Sequence, residues 1–177
     1  MAVSCASQSV ENNSEEEMAQ MKAAIFEQAA ATKVDPRFIL AVIMSESTGC
    51  VRVRTTRSPG DSIINPGLMQ DHQGTGSCEG IAAPCPEAQI KQMIRDGTAG
   101  TESIPGGGDG LQQTLAKAAA FGTDAQAVYV AARIYNSGSY ISGALEDNAA
   151  TACYSSDIAN YLLGFANALS PCKLNIV

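Results

Sequence analysis

Six cysteines are spread along this 177-residue chain, at positions 5, 50, 78, 85, 153 and 172. No two of them form a C-x-x-C pair, and the single histidine, His72, leaves no Cys/His set at the spacing of a structural zinc site. We therefore expect three disulfides and an oxidising, extracellular compartment; reduced, buried cysteines in a cytosolic protein are the alternative. Cys78 and Cys85 are the expected local pair. A bridge from Cys50 would brace the helix before it, with a partner that the sequence does not identify.

Length and composition predict one mainly α domain. A chain of this length can bury one sizeable core. Apolar residues make up 45% of the sequence, yet aromatic residues make up only 5% and Trp is absent, so an aliphatic core of closely packed helices is expected. The sequence has no apolar run of membrane-spanning length and no basic region followed by an apolar one at its start. We expect a polar leader over residues 1–14 and a single domain over 15–177, secreted after loss of a signal.

Helix signals recur along the chain. Ser14 followed by three glutamates predicts a helix to about Thr32, and Asp35-Pro36 predicts the start of another that ends at Gly49. Further helices are expected over 86–96, 110–121, 125–136 and 156–169. Residues 50–66 hold Val and Thr between turn-forming residues, which predicts a small, irregular β-hairpin.

Glu46 is an acid on the apolar face of the second helix. Residues 39, 42, 43 and 46 share one face of that helix, so the carboxylate continues a row of Ile39, Val42 and Ile43. Desolvation raises the pKa of a carboxyl group, and an acid that holds its proton near neutral pH can protonate a leaving oxygen. The alternative is a structural glutamate at a fraying helix end.

Three further segments follow Glu46 in a recognisable order. Asp61 lies six residues before the glycine of Gly67-Leu68-Met69-Gln70, and Ile134-Tyr135-Asn136-Ser137-Gly138 comes much later. This order resembles the lysozyme-like superfamily of goose-type lysozymes and soluble lytic transglycosylases. Ile134 replaces the family's usual alanine. His72 stands where goose-type lysozymes carry a second aspartate, and Asp71 lies one residue out of register.

The resemblance implies a lysozyme-like α+β domain and an enzyme, a glycosidase that cleaves the β-1,4 bonds of peptidoglycan with inversion. Glu46 would be the general acid and Asp61 the general base, with neither metal nor cofactor. Six further residues would bind the substrate: Ser47, Met69, Gln70, Asp71, Tyr135 and Asn136. From the residues alone, core packing is the favoured interpretation of Tyr135, while Met69 is compatible with core packing and Asn136 with a helix C-cap.

Charge restricts the partners. The formal net charge is −7 and the sequence pI about 4.6, which disfavours nucleic acid and is unusual for an enzyme acting on an anionic wall. An acidic working pH or a less anionic polymer such as chitin would reconcile the two. Arg52, Arg54 and Arg57 form either a basic cluster beside the cleft or an ordinary solvated loop face. We expect a monomer without membrane contact; a lytic transglycosylase, a chitinase and a non-catalytic glycan-binding effector are the alternatives.

Overall fold

The computed structural model describes residues 4–58, 62–101 and 105–165. The chain divides into two compact units, Met1–Gln113 and Thr114–Val177. The described residues are mainly helical with one small antiparallel sheet of two strands, which confirms the expected class of a mainly α protein with a small β-hairpin.

The described residues of the first unit contain a short 3-10 helix (Ala6–Gln8), three α-helices and the hairpin. The helices are α1 (Glu15–Thr32), α2 (Pro36–Ser47) and α3 (Glu87–Ala99). The strands are β1 (Thr56–Arg57) and β2 (Ile64–Asn65), paired so that Thr56 faces Asn65. A further helix, α4 (Leu111–Ala118), begins at the end of this unit. The second unit contains α5 (Asp124–Ser137) and α6 (Tyr154–Leu162), which pack against each other.

Local capping fixes where α1 and α2 begin. The Ser14 hydroxyl accepts a hydrogen bond from the Glu17 N–H (3.1 Å), and the Glu17 carboxylate accepts one from the Ser14 N–H (2.7 Å), a reciprocal capping box. Asp35 accepts from the Arg37 N–H (2.8 Å), with Pro36 in the first turn. Both predicted helix starts are therefore confirmed.

The core of the first unit lies between α1, α2 and α3. Helix α1 packs against both of the others. The largest fully buried side chains here are mostly aliphatic: Phe38, Met21, Ile39, Ile43, Leu68, Met69, Ile90, Met93 and Ile94. This agrees with the expectation of an aliphatic core drawn from the low aromatic content.

An ion pair is buried next to this core. Glu17 is fully buried and Arg52 is 4% exposed, and the guanidinium of Arg52 donates to the Glu17 carboxylate. The same carboxylate accepts from the Cys85 N–H (2.6 Å). The sequence suggested that Arg52 belongs to a surface cluster or to a solvated loop face, and both expectations are wrong because Arg52 is buried and neutralises a buried acid. Arg54 and Arg57 are exposed.

Disulfides connect segments of the first unit. Cys78 pairs with Cys85, as predicted, and Cys50 pairs with Cys5. Cys153 in the second unit is also disulfide-bonded, and Cys172 lies outside the described residues. No helix among the described ranges is both long and apolar enough to cross a membrane.

A buried arginine organises the second unit. Arg133 of α5 is 6% exposed, and its guanidinium donates to three backbone carbonyls, those of Ser139, Asp147 and Asn148, at 2.9 to 3.1 Å. These bonds hold the connection between α5 and α6 against the end of α5. The Ser155 hydroxyl donates to the Tyr129 carbonyl (3.1 Å) and joins α6 to α5.

Candidate active site

Glu46 lies in the last turn of α2. The row that precedes it on the same face, Ile39, Val42 and Ile43, is fully buried. Glu46 itself is half-buried, so the residue lies where the apolar row meets the surface. This position suits an acid that must be partly desolvated and yet reach a ligand.

The asparagine Asn13 holds the chain that follows Glu46. Its side chain is buried, and its amide nitrogen donates to the Gly49 carbonyl at 2.6 Å. Its amide oxygen accepts from the Val51 N–H at 3.1 Å. One side chain thus satisfies a carbonyl and an N–H just beyond the end of α2, where backbone groups lack helical partners.

A second set of contacts comes from the residues before Asn13. The Cys5–Cys50 disulfide ties the N-terminal segment to the chain after α2, and the Thr48 hydroxyl donates to the Ser4 carbonyl (2.9 Å). We call Ser4, Cys5 and Asn13 the N-terminal clamp. The clamp fixes the end of α2 that carries Glu46, and the segment expected to be a polar leader contributes to the site's support.

Ser47, predicted to contact the substrate, is 2% exposed. Its hydroxyl donates to the Ile43 carbonyl (2.9 Å) and accepts from the Gly49 N–H (3.2 Å). The side chain therefore completes the end of α2 and does not face solvent.

Gln70 ties the hairpin to the turn that follows it. Its amide nitrogen donates to the carbonyls of Arg54 (3.2 Å) and Gly67 (2.9 Å). Its amide oxygen accepts from the N–H (3.2 Å) and the hydroxyl (2.7 Å) of Thr56. A sugar would have to displace one of these bonds to use the amide. Asp61, the predicted general base, lies outside the described residues, in the connection between β1 and β2.

The first three residues of Gly67-Leu68-Met69-Gln70 are buried. Gly67 has a φ of +78°, and a Cβ there would lie 2.6 Å from the Met93 side chain, so both conformation and packing require glycine. Leu68 and Met69 are fully buried, and Met69 packs against Gly97. Of the two interpretations of Met69, core packing describes this position, because no part of the side chain reaches the surface.

Asp71 is also buried, although the sequence assigned it to substrate binding. Its side chain is 2% exposed, and one carboxyl oxygen, Oδ2, has no hydrogen-bond partner within the described part of the chain. Burial, reinforced by the nearby Asp96 carboxylate, raises the pKa of Asp71 from 3.8 to about 8, against an opposing hydrogen bond from Thr101. Asp71 is therefore protonated at neutral pH and lies below the surface.

The neighbouring Asp96 was not anticipated from the sequence. Its carboxylate accepts from the Thr75 N–H (2.7 Å) and hydroxyl (3.1 Å), the Gly76 N–H (3.0 Å) and the Gln92 amide (2.6 Å). These four protein donors replace the water that a buried carboxylate has lost. The local sequence gives one weak signal, a Gln and an Asp four residues apart on the same helix.

The other two predicted binding residues lie in the second unit. Tyr135 is half-buried in the last turn of α5, which ends at Gly138 with a φ of +76°. The Asn136 amide oxygen accepts from the Thr151 N–H at 2.9 Å, which fixes the loop before α6. Ile134, where the family has alanine, is 3% exposed and packs in the core.

Among the described residues, no group of three His, Cys, Asp or Glu side chains could hold a metal ion. Two predicted site carboxyl groups of the first unit are withdrawn from solvent, with Glu46 half-buried and Asp71 buried. No protein-family model matches the chain, and no curated protein or solved structure matches it either.

Proposed function

We propose that the chain is a secreted glycosidase that hydrolyses β-1,4 bonds of an N-acetylated amino-sugar polymer, peptidoglycan in the first place. The observation that carries the proposal is the position of Glu46, a half-buried acid that ends a row of three fully buried aliphatic residues on α2. In general, desolvation favours the protonated form of a carboxyl group, and that form donates to a glycosidic oxygen.

The support of Glu46 agrees with this role. A general acid needs a fixed position, because small displacements of a catalytic group are costly in rate. The buried face of α2 fixes one side of the helix, and the N-terminal clamp fixes the backbone just beyond Glu46 through the Cys5–Cys50 disulfide and the Asn13 hydrogen bonds.

Asp61 is the proposed general base. Its assignment rests on the spacing to Gly67 and on the hairpin connection that contains it, since the residue lies outside the described ranges. An inverting mechanism requires the two carboxyl groups to stand roughly 6.5 to 9.5 Å apart, so that water fits between Asp61 and the sugar. An Asp61 that points away from the sugar would favour attack by the sugar's own 6-hydroxyl, and the product would then be an anhydro sugar.

Charge and disulfides bear on where such an enzyme works. The disulfides favour an oxidising, extracellular location. The net charge of −7 would oppose approach to an anionic wall near neutral pH. An acidic medium would lessen this repulsion by protonating part of the carboxylates, and it would also keep Glu46 protonated.

The test is mass spectrometry of the products formed from purified peptidoglycan and from chitin oligomers. Hydrolysis adds one water per bond cleaved, whereas transglycosylation adds none. We expect hydrolysis by the wild type and a loss of at least about 10²-fold in Glu46→Gln, which keeps the shape of the side chain but cannot donate the proton. Glu16→Gln, an exposed change on α1, is the matched control and should retain full activity. A wild type that cleaves neither polymer would refute the proposal.

A further inference from the structure

An apolar groove runs between α1 and α2 and encloses a volume of about 540 Å³. This lies within the range of about 300 to 1,000 Å³ that is usual for sites binding small molecules. Eight residues line the groove: Met18, Met21, Lys22, Ile25, Phe26, Pro36, Arg37 and Leu40. We call it the α1–α2 groove.

Apolar side chains form both the floor and the rim of the α1–α2 groove. Met21 and Ile25 form a buried floor, at 1% and 7% exposure. Phe26 from α1 and Leu40 from α2 also line the groove and remain 55% and 37% exposed, so the buried floor continues into an exposed apolar patch. A concave apolar surface with exposed aromatic and aliphatic side chains is a typical binding surface.

The two cations of the groove differ in availability. The guanidinium of Arg37 is bound by the Asp35 carboxylate through contacts of 2.6 to 3.2 Å. Lys22 makes an ion pair with none of the described carboxylates. It lies one helical turn from Phe26, with no acid three or four residues away on α1. The groove therefore combines an apolar channel with one available positive charge.

We propose that the α1–α2 groove binds a single-chain anionic amphiphile of the fatty-acid type. The alkyl chain would lie on Met21, Ile25 and Leu40, and the anionic head would contact the ammonium of Lys22. An anionic bilayer is a poorer occupant, because its extended anionic surface would also face the three glutamates that open α1 and the net charge of −7, whereas a single carboxylate head can contact Lys22 locally. This site is independent of Glu46 and of the proposed glycosidase activity.

Calorimetric titration of the full chain with dodecanoate and with dodecyltrimethylammonium, both below micelle formation, tests the proposal. We expect saturable binding of dodecanoate at one site and at least tenfold weaker binding of the cationic probe. Lys22→Gln should weaken dodecanoate binding about tenfold, or 1.4 kcal/mol, and should not weaken the cationic probe. Phe26→Asp and Leu40→Asp should each weaken dodecanoate at least tenfold.

Two control variants exclude general effects of charge and surface polarity. Lys33→Gln removes a cation beyond the groove, and Ile141→Asp changes an apolar side chain that is 84% exposed in the second unit; both should bind dodecanoate as the wild type does. Unchanged affinity in Lys22→Gln would overturn the proposal. So would equal binding of the two probes, binding of anionic phospholipid vesicles without binding of free dodecanoate, or a dimer that Phe26→Asp dissociates.

Discussion

Replacing Asp71 by asparagine is expected to make the stability of the fold less dependent on pH. The folded chain holds the Asp71 proton up to about pH 8, whereas an unfolded chain releases it near the ordinary pKa of 3.8. Between these values the folded state binds more protons than the unfolded state, so the free energy of unfolding falls as pH rises. Asparagine has nearly the same shape as the protonated acid and cannot ionise, so the variant lacks this contribution to the pH dependence of the free energy of unfolding.

The magnitude follows from the interval between the two pKa values. One pH unit corresponds to about 1.4 kcal/mol, so the wild type loses at most about 5 to 6 kcal/mol relative to Asp71→Asn between about pH 4 and pH 8. The loss is an upper bound because an ionised Asp71 can relax toward water. Below about pH 4 the stabilisation by the buried neutral acid is fully present, and above about pH 8 it is absent.

Urea denaturation followed by far-UV circular dichroism, repeated at several pH values, measures the effect. The quantity compared is the free energy of unfolding of wild type minus that of Asp71→Asn, because titrating groups that do not interact with Asp71 cancel in this difference. Asp109→Asn removes a weaker negative charge that also raises the Asp71 pKa. In this variant the free energy of unfolding should still fall as pH rises, but the fall should end at a lower pH. A difference that stays constant with pH would refute the assignment of a buried, protonated Asp71.

Three further substitutions test the supports of the site. Glu17→Ala leaves the buried guanidinium of Arg52 without its partner and should cost about 3 to 5 kcal/mol in urea denaturation, with Glu17→Gln costing less. Asn13→Ala removes two hydrogen bonds beyond the end of α2 and should speed amide hydrogen exchange there, with a stability loss of about 1 to 3 kcal/mol. Gly67→Ala places a methyl group against Met93 at a positive φ and should lower the midpoint of thermal unfolding.

The helices could be predicted from the sequence because their signals are local. Ser14 and Glu17 are three residues apart, and Asp35 immediately precedes Pro36, so each cap is complete within one turn. The aliphatic row before Glu46 could also be predicted, since helical periodicity alone places Ile39 and Val42 on one face. These predictions needed no knowledge of the tertiary fold.

The supports of the site could not be predicted because they join distant segments. Asn13 and Gly49 are separated by 36 residues, and Arg52 lies 35 residues from Glu17. Nothing in the sequence around Arg52 separates it from the exposed Arg54. Burial of Asp71 was equally hidden, since it depends on the packing of the turn after Met69 near α3.

The roles observed for the Gly67–Gln70 segment restrict which residues can take part in the proposed chemistry. Gly67 and Met69 serve packing, and all four hydrogen-bonding positions of the Gln70 amide are used to join the turn to the hairpin. The segment therefore joins the turn to strand β1 and to the residue Arg54 before it. Under the proposed mechanism, proton transfer falls to Glu46 and Asp61 alone, and Gln70 contributes by holding the hairpin that carries the base.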